Sequence, residues 1–177
     1  MAQLTAACLS FALSMAAMAE TPAQKDLVRI TEQKIPMDPK LAQLCIGPDH
    51  VVGPHSSPTV HLYVNQALID YRKLHPDAVR YPVGSVFFKE KFDGEDKATL
   101  ATIMTRIADN NRADDWRYEM IELPSRAPAK IDAVSCRDCH ERYEKQGFIS
   151  GTTSKALAGF LKKPVVAPAT TNKPKTE

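Results

Sequence analysis

The chain has 177 residues, with 23 Lys and Arg against 21 Asp and Glu and a formal net charge of +2. That length suits one domain and leaves too little chain for two independent cores. So small a charge, with no basic stripe interleaved with aromatic residues, argues against a nucleic-acid partner.

Residues 1–19, MAQLTAACLSFALSMAAMA, carry no charged side chain and end in the small-x-small site Ala17-Met18-Ala19. They read as a secretory signal peptide cut before Glu20, which puts the mature chain in the periplasm or outside the cell. The apolar run is too short for a membrane span, and no later stretch qualifies. Cys8 leaves with the signal. Cys45, Cys136 and Cys139 remain, an odd number that argues against a disulfide scaffold. Cys45 reads as a small buried hydrophobe or, alternatively, as a dimer-forming or reactive thiol.

Residues 20–40 are polar, with a short helix or strand around Lys25 to Ile35. The stretch from Gly47 to Pro58, GPDHVVGPHSSP, has loop composition and holds His50 and His55. In Thr59 to Val64 the apolar Val60, Leu62 and Val64 alternate with Thr59, His61 and Tyr63, the period of a half-buried strand that leaves His61 facing outward. Asn65 is placed to cap a helix over Gln66 to Leu74, which Pro76 stops. Ser85 to Phe92 is the clearest strand: Val86, Phe88, Glu90 and Phe92 face one way, Phe87, Lys89 and Lys91 the other. Asp93-Gly94 begins a reversal into a return strand over Thr99 to Ile107. Trp116 to Leu123 is a further strand with Trp116, Tyr118 and Met120 on one face. A helix beginning near Asp132 or Ser135 runs through Tyr143. Residues 162–177, rich in Lys, Pro, Thr and Ala, read as a disordered tail. Residues 20–161 thus form one α+β domain: a mainly antiparallel β-sheet of sequence-adjacent strands, flanking helices, and a C-terminal helix.

That last helix carries Cys136-Arg137-Asp138-Cys139-His140, a Cys-x-x-Cys-His motif. Two thiols at this spacing form thioethers to the two vinyl groups of one haem c, and the adjacent imidazole reaches the iron. Zinc commonly needs a second Cys or His pair, and none follows His140. Export fits haem, because c-type attachment takes place outside the cytoplasm. The sixth iron position is either open or filled from upstream, where Met104, Met120, His50, His55, His61 and His75 are the candidates. An open position implies binding or oxidation of a small molecule. A filled one implies a six-coordinate electron-transfer cytochrome c. Trp116 and Tyr118 read as sheet packing that could also shield the haem edge. Arg106 and Arg117 read as surface residues that could pair with a propionate.

Over residues 55–145 the chain resembles the cytochrome P460 family, including the related β-type cytochromes c′. The likeness rests on Tyr63-Val64-Asn65 before a helix containing Tyr71, on Gly84-Ser85-Val86-Phe87-Phe88-Lys89-Glu90, and on the late haem motif after a strand opening at Trp116. It implies a mainly antiparallel sheet, a homodimer, and a haem iron with proximal His140 and a vacant or weakly occupied distal side. It implies either oxidation of hydroxylamine and handling of nitric oxide, or gas binding beneath aromatic rings, with a redox partner protein for the first. By the pattern Gly-x-Val-x-x-Lys-Glu, the lysine that is bonded to the macrocycle in the oxidising members falls on Lys89, and Phe87 shares its face. The distal carboxylate of those members falls near Thr102, where this chain has no Asp or Glu. Glu90, on the opposite face from Lys89, is a poor substitute.

Overall fold

The computed structural model describes residues 26–37 and 55–163. The signal segment, Cys45, His50 and the tail from residue 164 onward lie outside the described residues.

The described residues form an α+β domain built on one antiparallel sheet with flanking helices. Its strands are β1 (Leu27–Arg29), β2 (Ile35–Pro36), β3 (Thr59–Asn65), β4 (Val86–Phe92), β5 (Ala98–Arg106) and β6 (Trp116–Glu122). The order is β1-β3-β4-β5-β6, with β2 also pairing β3. Strands joined by short connections are neighbours, as expected. The segment around Lys25 to Ile35 resolves into strand, not helix. The helices are α1 (Gln66–Leu74), α2 (Ala133–His140) and α3 (Gly151–Leu161).

Register decides what the sheet presents. Directly paired residues share a face. One row is Leu62, Lys89, Thr102 and Met120; the next is Val64, Phe87, Met104 and Tyr118. This face packs with Leu68 and Ile69 of α1, Leu157 of α3 and the loop residues Phe148 and Ile149 into the main core. The opposite face carries Val86, Phe88, Ala101 and Ile103, a second apolar cluster. Because both faces are covered, β3 is buried on both sides. His61 is accordingly buried, not outward in solvent, and its Nδ1 lies 3.1 Å from the Thr31 hydroxyl.

Three local readings change. Asn65 does begin α1, but its side chain does not cap it. Instead its amide donates to the Gly84 carbonyl and its oxygen accepts from Val86 N, at 2.9 and 3.0 Å, which ties the end of β3 to the start of β4. Arg106 is buried rather than on the surface: it pairs with Asp109 and lies 3.8 Å from Asp115. The motif helix stops at His140 and continues as a 3₁₀ turn, Glu141–Gln146, rather than staying α-helical through Tyr143. Helix α3 had no counterpart in the sequence reading. Among the described residues no helix is long and apolar enough to cross a membrane.

Candidate functional site

Helix α2 starts where a strong N-cap allows it. The Asp132 carboxylate accepts from Val134 N and Ser135 N at 3.1 and 3.3 Å, satisfying two first-turn donors. One turn on, Cys136 and His140 stand four residues apart and so share a helix face. Both line one cavity between α2, the sheet and the start of α3, with about 580 Å³ of empty space, part of it open solvent. Cys139 lies one residue from His140, half-buried, and neither motif cysteine is in a disulfide.

The His140 ring is fixed from behind. Its Nδ1 lies 2.6 Å from the Phe148 carbonyl, which can only accept, so Nδ1 carries the proton. Nε2 then keeps its lone pair. The carbonyl is aimed by backbone that few residues tolerate. Gly147 and Phe148 both have positive φ, 65° and 68°. A Cβ at Gly147 would lie 2.2 Å from the Val79 carbonyl oxygen, so only glycine fits. Burial, and secondarily the charge of Lys89, hold the His140 pKa below its ordinary value, against the opposing pull of the Phe148 bond. The neutral imidazole is the metal-binding form.

The walls come from the sheet face and the α3 entry. Phe87, Lys89, Thr102, Met104 and Tyr118 line the cavity from the sheet; Ile149, Ser150 and Thr153 line it from the other side. Phe87 is buried and stands edge-on to Tyr81 at 5.1 Å. Tyr118 tilts against the His140 ring at 5.3 Å. Burial first, then the carboxylates of Glu141 and Asp114, push its phenol well above the ordinary range, so it is neutral. Lys89 sits directly across from Thr102. Hence the position facing Lys89 on β5 is a hydroxyl, not a carboxylate. Glu90 points to the opposite face and accepts from the Tyr63 hydroxyl at 2.6 Å.

Phe87, Lys89, Met104, Tyr118, Cys136 and His140, all singled out from sequence, therefore line one cavity, and Cys139 adjoins it. Others go elsewhere. His61 is on the far face, and Arg117 pairs with Glu119 at 3.1 Å. Arg106 is committed to its own ion pairs. Trp116 packs in the core, and His75 stacks on Tyr71 at 4.6 Å. His55 does line the cavity. The wall from Ile149 to Thr153 was missed; no motif marks it.

Two observations test whether a covalent haem fits. Among the described residues no three or more His, Cys, Asp and Glu side chains converge on a bare ion. The motif instead places its imidazole and the Cys136 thiol at a largely apolar cavity, with the Cys139 thiol adjoining, the residue types that a covalently bound haem takes. The residues fit that group. No family model and no curated protein matches the chain.

Proposed function

We propose that this protein is an exported mono-haem c-type cytochrome of the P460-like kind, and that it binds or oxidises small nitrogen compounds such as nitric oxide or hydroxylamine. The observation that carries the reading is the Cys-x-x-Cys-His turn opening on a cavity, with His140 anchored through Nδ1 to the Phe148 carbonyl. A metal-bound histidine nearly always has its other nitrogen held by such an acceptor. Cys136 and Cys139 would hold the haem through thioethers and His140 would ligate the iron. The iron supplies ligand binding and electron transfer at the cavity.

The protein's own residues do the rest. Phe87, Met104 and Ile149 give the cavity apolar walls. Lys89 brings an amine to its wall and is the residue that the family likeness assigns to a macrocycle cross-link. Thr102 can donate or accept a hydrogen bond but is no proton acceptor at neutral pH. General base help is commonly worth about 10²–10⁴-fold, so oxidation is expected to be weak beside ligand binding. A homodimer, a periplasmic or secreted location and a redox partner protein belong to the same reading.

The test is the haem itself. Protein matured where haem is attached should exceed the cleaved polypeptide by about 600 Da under denaturing conditions, the mass of one thioether-linked haem. Replacing Cys136 and Cys139 with Ala should release that mass. The ferrous spectrum should be high-spin and change with carbon monoxide; sharp low-spin bands that ignore it would favour electron transfer instead. Peptide mapping reads Lys89. A branched haem peptide containing Lys89 marks the cross-link. An unbranched peptide, with no spectral change in Lys89→Ala, removes Lys89 from the site.

A further inference from the structure

The cavity holds two imidazoles, and they are not equivalent. His140 has its Nδ1 bonded to a backbone carbonyl. His55 lies in the turn that precedes β3 and lines the same cavity together with Leu62, Phe87 and Lys89. Its Nδ1 is sealed from solvent and has no hydrogen-bond partner among the described residues. A buried polar atom left without a partner costs about 1–3 kcal/mol. Such an atom calls for an explanation, and the space next to the His55 ring is the cavity that this residue lines.

We propose that His55 is the ligand-side residue of this cavity, whose imidazole hydrogen-bonds a small molecule held at the iron, of the size of a diatomic or of hydroxylamine. This rests on the haem reading above and deepens it. Two further facts support the role. Burial first, then the charges of Lys89 and Lys91, hold the His55 pKa at about 3. At neutral pH the ring therefore keeps one N–H and one lone pair, and can donate to an iron-bound oxygen or accept from a bound N–H or O–H. The second fact is the asymmetry of the two rings. An iron ligand needs its second nitrogen fixed. His140 meets that requirement. His55 has no such anchor on its Nδ1 among the described residues, which leaves that atom to bond a molecule that enters the cavity. The carboxylate at the cavity wall, Glu119, is engaged by Arg117.

The experiment uses the full, haem-loaded protein and two variants, His55→Val and His55→Gln, with carbon monoxide as the probe. In the wild type the C–O stretch of the ferrous complex should be lowered by the hydrogen bond. His55→Val should raise that frequency and speed carbon monoxide dissociation about 2- to 10-fold, the worth of one hydrogen bond. His55→Gln, which keeps a donor and an acceptor, should stay near the wild type in both. An unchanged stretch and rate in His55→Val would overturn the proposal. So would a low-spin resting iron that turns high-spin in His55→Val, because His55 would then be an iron ligand. Should His55→Val not fold, a displaced stretch or a faster dissociation in His55→Gln would count against the proposal in its place. Denaturing mass reads the underlying haem independently: no haem on Cys136 and Cys139 ends both readings, whereas haem present with an unmoved stretch ends this one alone.

Discussion

At the scale of single residues, the site depends on backbone as much as on side chains. Cys136, Cys139 and His140 were legible because chemistry fixes their spacing. The carbonyl that orients His140 was not, because every residue has one and only the fold chooses which is aimed. Gly147 is where that aim is set. In Gly147→Ala the new methyl meets the Val79 carbonyl oxygen at 2.2 Å, and a φ of 65° disfavours any Cβ. The cost should be about 1–3 kcal/mol of stability. The Phe148 carbonyl should move with it, weakening its bond to His140. Thermal unfolding checks the first effect. Under the proposed haem reading, a lowered basicity of His140, read as a raised haem reduction potential, checks the second. A destabilised variant with an unaltered potential would show that the turn serves folding alone.

Elements differ in how much of themselves the sequence discloses. Strand β4 was plain, because Val86, Phe88, Glu90 and Phe92 alternate with Phe87, Lys89 and Lys91 and register then fixes their faces. Helix α3 was not read, although Thr153, Ala156, Leu157, Phe160 and Leu161 recur at i, i+3, i+4, i+7 and i+8 and pack on the core or are buried in it. Its two glycines and its β-branched start, Thr152-Thr153, hid the pattern behind weak propensity. The β5–β6 connection holds a feature that alternation cannot reveal. Asp115 accepts from Asn110 N, Asn110 Nδ2 and Arg112 N at 2.7, 3.0 and 3.2 Å, and faces the buried Arg106 guanidinium. Burial pushes its carboxyl up, but these donors and Arg106 outweigh it and hold the pKa below 3.8. Asp115→Ala, which leaves Arg106 short of a buried partner, should cost about 3 kcal/mol at neutral pH. A depressed carboxyl pKa stabilises the fold above its unfolded value and loses that effect as pH falls through the folded one. The difference between wild type and Asp115→Ala in urea unfolding should therefore be full near pH 7 and shrink as the pH drops below about 4. A pH-independent difference would assign the cost to packing instead.

Across the whole molecule, the sheet and the motif helix are held by different means. The sheet buries apolar residues on both faces. Helix α2 and the 3₁₀ turn after it bury none fully, and α2 sits beside the cavity. Their docking is expected to depend on what fills that cavity. Hydrogen exchange on the haem-loaded protein and on the Cys136→Ala, Cys139→Ala variant tests this. Residues 133–146 should lose protection in the variant, while β3, β4 and β5 keep theirs. Equal loss across both regions would mean that the domain unfolds as a unit. The order β4-β5-β6 was legible because short connections and alternation leave few alternatives; the pairing of β1 and β2 with β3 was not read from the sequence. The placement of α2 was legible only as a motif, because its own burial pattern is weak.

The Phe148 carbonyl carries one more consequence. A side chain that tunes a metal ligand can be exchanged by a single codon change, and the tuning drifts with it. A peptide oxygen is present whatever residue occupies position 148, so side-chain scanning there reports on core packing and leaves the acceptor in place. The atom that orients His140 is thus nearly invisible to mutagenesis of its own residue. It can be reached through the neighbouring glycine, or by replacing the Phe148–Ile149 amide with an ester, which leaves a weaker acceptor in the same position.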